Sequence, residues 1–97
     1  MDTYVILRRN GWRTVEDRQE ADARSTAEGE RMPDDIAWIR SYVLDELHGR
    51  VGTVCIYQAS SPEVIRRHST AAELPIDEII AVSHTVLVRP DPMPTPV

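Results

Sequence analysis

The stretch Val51-Gly52-Thr53-Val54-Cys55-Ile56-Tyr57-Gln58-Ala59-Ser60-Ser61-Pro62-Glu63-Val64-Ile65-Arg66-Arg67-His68 decides how this chain folds. Its first half, Val51 to Ala59, is rich in β-branched and aromatic residues and reads as a strand. Its second half begins a helix with little ambiguity. A Ser N-cap is followed by Pro62 at the first helical position, where a missing N–H costs nothing, and by Glu63 in the first turn, where an acid meets the positive end of the helix dipole. Helical spacing then puts Val64, Ile65, His68, Ala71 and Ala72 on one face, with Arg66, Arg67 and Ser69 towards solvent. Pro75 closes the helix.

Working outward, Ile36 to Leu44 is a second apolar run, joined to Val51–Ala59 by a turn over Asp45 to Arg50. The two form a hairpin. Further towards the N-terminus, Thr14-Val15-Glu16-Asp17 fits a helix start, and the Ala-, Glu-, Arg- and Gln-rich chain to about Arg31 continues it. Its apolar face is thin, carried by Val15, Ala23 and Ala27, so this helix is expected to be the loosest element. Tyr4 to Leu7, ended by charge, Asn10 and Gly11, reads as the first strand, and Ile79 to Val88 as a long last one. The order β-α-β-β-α-β is that of the split βαβ motif. It predicts a ferredoxin-like α+β domain over residues 1–89, with an antiparallel sheet and two helices on one face. Residues 90–97 form a proline-rich tail, expected to be disordered. An open α+β arrangement of the same elements is the lesser alternative.

Two helices cover one face of such a sheet, yet both sides of its strands look apolar. Ile36, Trp38, Tyr42 and Leu44 alternate with Ala37, Ile39 and Val43, and Ile80, Val82, Val86 and Val88 with Ile79, Ala81 and Leu87. Burying about five larger side chains of the uncovered face, at roughly 1.5–3 kcal/mol each, brings on the order of 10 kcal/mol. That is comparable with an association cost of roughly 4–15 kcal/mol, so a homodimer joined through the sheet is expected. The competing cover is the chain's own N-terminal loop or its proline tail.

Composition narrows the function. The 97 residues carry a net charge of −5, and all 11 cationic side chains are Arg. Lysine chemistry is therefore excluded, and an acidic chain with scattered arginine pairs is a poor partner for nucleic acid. One cysteine, Cys55, permits no internal disulfide. No apolar run matches a signal peptide or a membrane span, and the expected location is the cytoplasm. There is no phosphate-cradling glycine loop, nucleophile elbow or dinucleotide fingerprint, and no unmistakable catalytic pair.

Five blocks, taken in order, carry a resemblance. They are Tyr4-Val5-Ile6, Trp38-Ile39-Arg40-Ser41-Tyr42-Val43, Cys55-Ile56-Tyr57, Pro62-Glu63-Val64-Ile65-Arg66-Arg67-His68 and Leu74-Pro75-Ile76-Asp77-Glu78-Ile79. Together they resemble a bacterial domain-of-unknown-function family, number 4242 (DUF4242), from Tyr4 to about Pro90. The resemblance implies a ferredoxin-like fold, a dimer and, in a relative, nickel bound at the dimer surface. Leu7 stands where the family often has an acid, and the hairpin from Asp45 to Gly52 is longer than in the shortest relatives.

Three histidines are the candidate ligands for nickel or another divalent ion: His48 in the hairpin turn beside Asp45 and Glu46, His68 on the second helix, and His84 on the last strand with Val82 and Val86. No His-x-His, His-Glu-x-x-His or Cys-x-x-Cys is present, so such a site has to be assembled in three dimensions. The alternative reading is an enzyme or small-ligand binder of the dimeric α+β barrel type. Its pocket lies between sheet and helices, with His68 beside Tyr42, Cys55 and Tyr57. Ordinary packing explains the same residues: a core histidine satisfied by a hydroxyl or carbonyl, and Cys55 as inert apolar filling.

Overall fold

The computed structural model describes residues 1–94. Its elements are β1 (Asp2–Trp12), α1 (Val15–Glu30), β2 (Ile36–Asp45), β3 (Val51–Ala59), α2 (Pro62–Ala71) and β4 (Glu78–Ala81), with one 3-10 turn at Leu47–Gly49. The four strands form one antiparallel sheet in the order β2-β3-β1-β4, and β2 and β4 are its edges. This is the ferredoxin-like α+β arrangement. The core lies on the face that Tyr4 and Ile6 of β1 share with Cys55, Tyr57 and Ala59 of β3, where Val64 and Ile65 of α2 pack against them. A second cluster joins Trp12 and Val51 to Ala21 of α1.

The caps form as the sequence dictates. Ser61 Oγ accepts from the Val64 amide at 3.3 Å, and Thr14 Oγ1 from the Asp17 amide at 3.1 Å. The buried faces differ from expectation in both helices. On α2, Ser69 turns inward and is 1% exposed, whereas Ala71 faces solvent. The reason is Arg8, a buried cation on β1 whose Nη1 donates to Ser69 Oγ at 3.3 Å and to the Pro75 carbonyl at 2.6 Å. On α1 the buried residues are Arg18, Ala21 and Ser25, while Ala23 and Ala27 are exposed. The helix thus turns a polar stripe inward, and Arg18 is neutralised there by Asp22 one turn on.

Three strand expectations are also corrected. β1 does not stop at Leu7. A register shift between Arg8 and Trp12, with Asn10 at φ 51°, carries the strand through to Trp12, and Asn tolerates that left-handed geometry better than most residues. β2 has a bulge between Trp38 and Arg40, since Trp38 pairs with Tyr57 but Arg40 already with Ile56. The extra residue flips the alternation, so Trp38 and Tyr42 lie on opposite faces. Finally, β4 ends at Ala81 rather than Val88. The pairing with β1 ends in a bond from the Val82 amide to the Thr3 carbonyl at 2.9 Å, and the chain then turns away from the sheet edge.

The face away from the helices is built of cross-strand rows, Arg40–Ile56–Val5–Ile80 and Tyr42–Val54–Leu7–Glu78. Val5, Leu7, Val54 and Ile56 are half-buried there, while Ile80 is 41% and Tyr42 46% exposed. Beyond Val82 the chain runs from the β4 edge to the β2 edge. There Asp91 accepts from the Tyr42 hydroxyl at 2.9 Å and pairs with Arg40. Val86, Leu87 and Val88 in this connection are at least three-quarters exposed. Of the proline tail, residues 95–97 lie outside the described residues.

Candidate functional site

Between α1 and the sheet is a cleft of about 400 Å³, walled by Ser25 and Gly29 of α1, Ile36 and Trp38 of β2, Tyr57 of β3 and His68 of α2. Its existence follows from the α1 sequence: a helix that buries serine and has no side chain at position 29 cannot fill the space beneath it. Trp38 and Tyr57 stack in parallel, with ring centroids 6.1 Å apart and planes 6° from coincidence. The His68 ring sits 5.8 Å from Tyr57 at 58°.

Polar groups meet behind these rings. The Tyr57 hydroxyl and Ser25 Oγ are 3.1 Å apart, and burial pushes the Tyr57 phenol above its ordinary value of 10.0, keeping it protonated at neutral pH. His68 is 1% exposed, and its Nε2 lies 2.9 Å from the Ser25 carbonyl oxygen. A carbonyl only accepts, so Nε2 carries the proton, and in the neutral ring Nδ1 holds a bare lone pair. That Nδ1 is buried and has no partner. Among the described residues, Arg8 Nη2 and Arg18 Nε are the other buried side-chain nitrogens in that state. Arg8 lines a smaller void of about 10 Å³, which shares Ser25, Trp38 and Tyr57 with the cleft and adds Thr53 and Cys55. Such a volume holds about one water molecule.

Of the residues proposed for a small-ligand pocket, His68 and Tyr57 line the cleft. Cys55 is on the same sheet face but buried, 3.1 Å from Ser41 Oγ and 3.3 Å from Thr53 Oγ1. Tyr42 is on the opposite face, at Asp91, because of the β2 bulge. Sequence reasoning missed Ser25, Gly29 and Arg8. The one available signal was the spacing Arg18, Ala21, Ser25, Gly29, a small-and-polar stripe at helical period.

The three histidines do not converge. His48 is exposed in the hairpin turn at φ 60°, His68 is in the interior, and His84 follows the end of β4 with its Nδ1 2.7 Å from Ser83 Oγ. Among the described residues, no group of three or more His, Cys, Asp or Glu side chains is arranged to hold a metal ion. Of the two acids beside His48 in the turn, Glu46 is otherwise engaged. Glu46 is paired with Arg9 at 2.5 Å and accepts from the Asn10 amide, which together hold its carboxyl below the usual carboxylate range.

The family described as nickel responsive protein SCO4226-like matches residues 4–82, from the first residue of the β1 core to the end of β4. The chain belongs to that family. Among solved structures it is similar to SCO4226 from Streptomyces coelicolor A3(2). The TM-score is 0.65 at 16% identity, over 87% of this chain and 99% of that one. At that identity the likeness speaks for the fold. No curated protein matches the chain. No helix among the described residues is long and apolar enough to cross a membrane.

Proposed function

We propose that this protein serves a nickel-related role as a homodimer joined through the open face of its sheet, with any bound ion shared between the two chains. Family membership over residues 4–82 is the observation that carries the nickel part. Sharing between chains suits the donor set. Among the described residues no three ligands gather within one chain, and a shared site would draw imidazole and carboxylate groups from both. The accessible donors each chain can offer are His48, His84 and the unpaired surface acids, whereas His68 is committed to the interior.

Two observations support the dimer. The rows through Val5, Leu7, Val54, Ile56 and Ile80 form an apolar surface that neither helix covers. The β-prone residues Val86, Leu87 and Val88 stand exposed in the connection that follows β4, and a second copy could shield them. Calorimetric titration of the folded protein with nickel tests the reading. Heat saturating at a fixed ratio of ions to dimer is expected, and no heat at high micromolar nickel rejects it.

A further inference from the structure

The connection that follows β4 is held at both ends and bare in the middle. We propose that the dimer exchanges it: the segment Val86–Asp91 of each chain leaves its own sheet and lies along the β2 edge of the second copy, whose Arg40 and Tyr42 receive Asp91. The proposal rests on the sheet-face dimer described above and adds how its edges are joined.

The route of the connection is the starting point. It leaves the β4 edge where the Val82 amide meets the Thr3 carbonyl, and it is next held at the β2 edge, where Asp91 pairs with Arg40 and accepts from the Tyr42 hydroxyl at 2.9 Å. Arg40 and Tyr42 lie in the open-face rows with Ile56 and Val54, so the connection passes on that side of the sheet. A strap there stands between the two faces that the dimer has to bring together. It is also slack. Val82 and Asp91 are nine residues apart. An extended chain of that length reaches about 30 Å, whereas strands spaced by about 4.8 Å put the outer two of four only about 14 Å apart. The excess chain stands off the sheet, with Val86, Leu87 and Val88 86%, 75% and 79% exposed.

The β2 edge offers such a segment a seat. Along it runs a groove of about 790 Å³, with Ile39, Tyr42 and Val43 on the strand side and Asp91 and Met93 on the tail side. Ile39 and Val43 are 47% and 40% exposed, and an open strand edge takes up extended, β-prone chain. Symmetry brings the two together. Aligned sheets that stack about a two-fold axis parallel to their strands set the order β2-β3-β1-β4 against its reverse, so each β4 edge lies over the β2 edge of the other copy. Stacked sheets are about 10 Å apart, closer than the about 14 Å to the chain's own β2. An exchanged strap spans that shorter gap, clears the open faces, keeps the Asp91 contacts and shields Val86–Val88.

The test uses two variants, Arg40→Asp and Asp91→Arg, each of which replaces the ion pair by a like-charge pair. Both side chains are about half exposed, at 45% and 46%, so the fold tolerates either change. The two chains are mixed in equal amounts, unfolded in urea, refolded together at low salt and weighed by native mass spectrometry. In an exchanged dimer only the mixed species sets opposite charges against each other at both edges. Mixed dimers are expected to make up at least roughly four-fifths of all dimers, falling towards the random half at high salt. Without exchange each chain carries its own like-charge pair into any dimer. Mixed dimers at one half in low salt would therefore overturn the exchange and leave the sheet-face dimer standing, while a monomeric wild-type protein would overturn both. Should either variant fail to refold, wild-type chains, half of them labelled with carbon-13, are refolded together instead. NOEs between the Tyr42 ring protons and the Asp91 β protons are then expected between labelled and unlabelled chains, and finding them only within one chain would overturn the exchange.

Discussion

Gly52 and Glu46 show how single positions hold the irregular end of the sheet together. β1 loses its regular register after Arg8, and β3 answers with a glycine whose absent Cβ would stand 2.7 Å from the Arg8 carbonyl oxygen and 3.1 Å from the Asn10 amide. Backbone cannot yield as a flexible side chain does. Gly52→Ala should therefore cost about 1–3 kcal/mol, read as a lower urea midpoint with an unchanged slope. Glu46 clips the β2 end of the hairpin to Arg9 and to the Asn10 amide. Its folded pKa lies below the ordinary 4.5, so its contribution is fully present above that value and drains away as pH falls through the lowered one. Glu46→Gln should show a shallower loss of stability on acidification than wild type, measured as midpoint against pH. Equal slopes would remove Glu46 from that role. None of this was visible in the sequence, where Asn10-Gly11 reads as a stop and Gly52 as the edge of a turn. The bulge that makes them necessary is a tertiary event.

The elements were legible where local chemistry decides them. Ser61-Pro62-Glu63 names its own helix start, and α2 begins there. The β2–β3 hairpin forms between the expected runs. What failed were features set by neighbours rather than by the run itself. The length of β4 depends on how far its pairing with β1 runs, and the parity of β2 depends on a bulge that no residue at 38–40 announces. The consequence is concrete, since that one extra residue moves Tyr42 out of the cleft. The thinness of the α1 apolar face was legible, though its identity was not, because Arg18 and Ser25 are buried only through Asp22 and Tyr57. An element held this way opens early. Native-state hydrogen exchange should find α1 amides unprotected at lower free energy than those of α2, which buries Val64 and Ile65. Equal protection of the two helices would contradict it.

For the molecule as a whole, the sheet has one finished face and one unfinished. The finished face carries the core and the cleft. The other presents Val5, Leu7, Val54, Ile56 and Ile80, and the Val86–Val88 segment is exposed as well. Ile56 is only half-buried and sits in the middle of that surface, so Ile56→Asp should leave the chain folded but convert a dimer to a monomer by light scattering. Native mass spectrometry of the protein with added nickel tests this surface and the family's nickel connection in one spectrum. The expected result is a dimer whose mass rises by a whole number of nickel ions, with no nickel on the monomer of Ile56→Asp. A folded wild-type chain that stays monomeric, or a dimer that takes up no nickel, would contradict it.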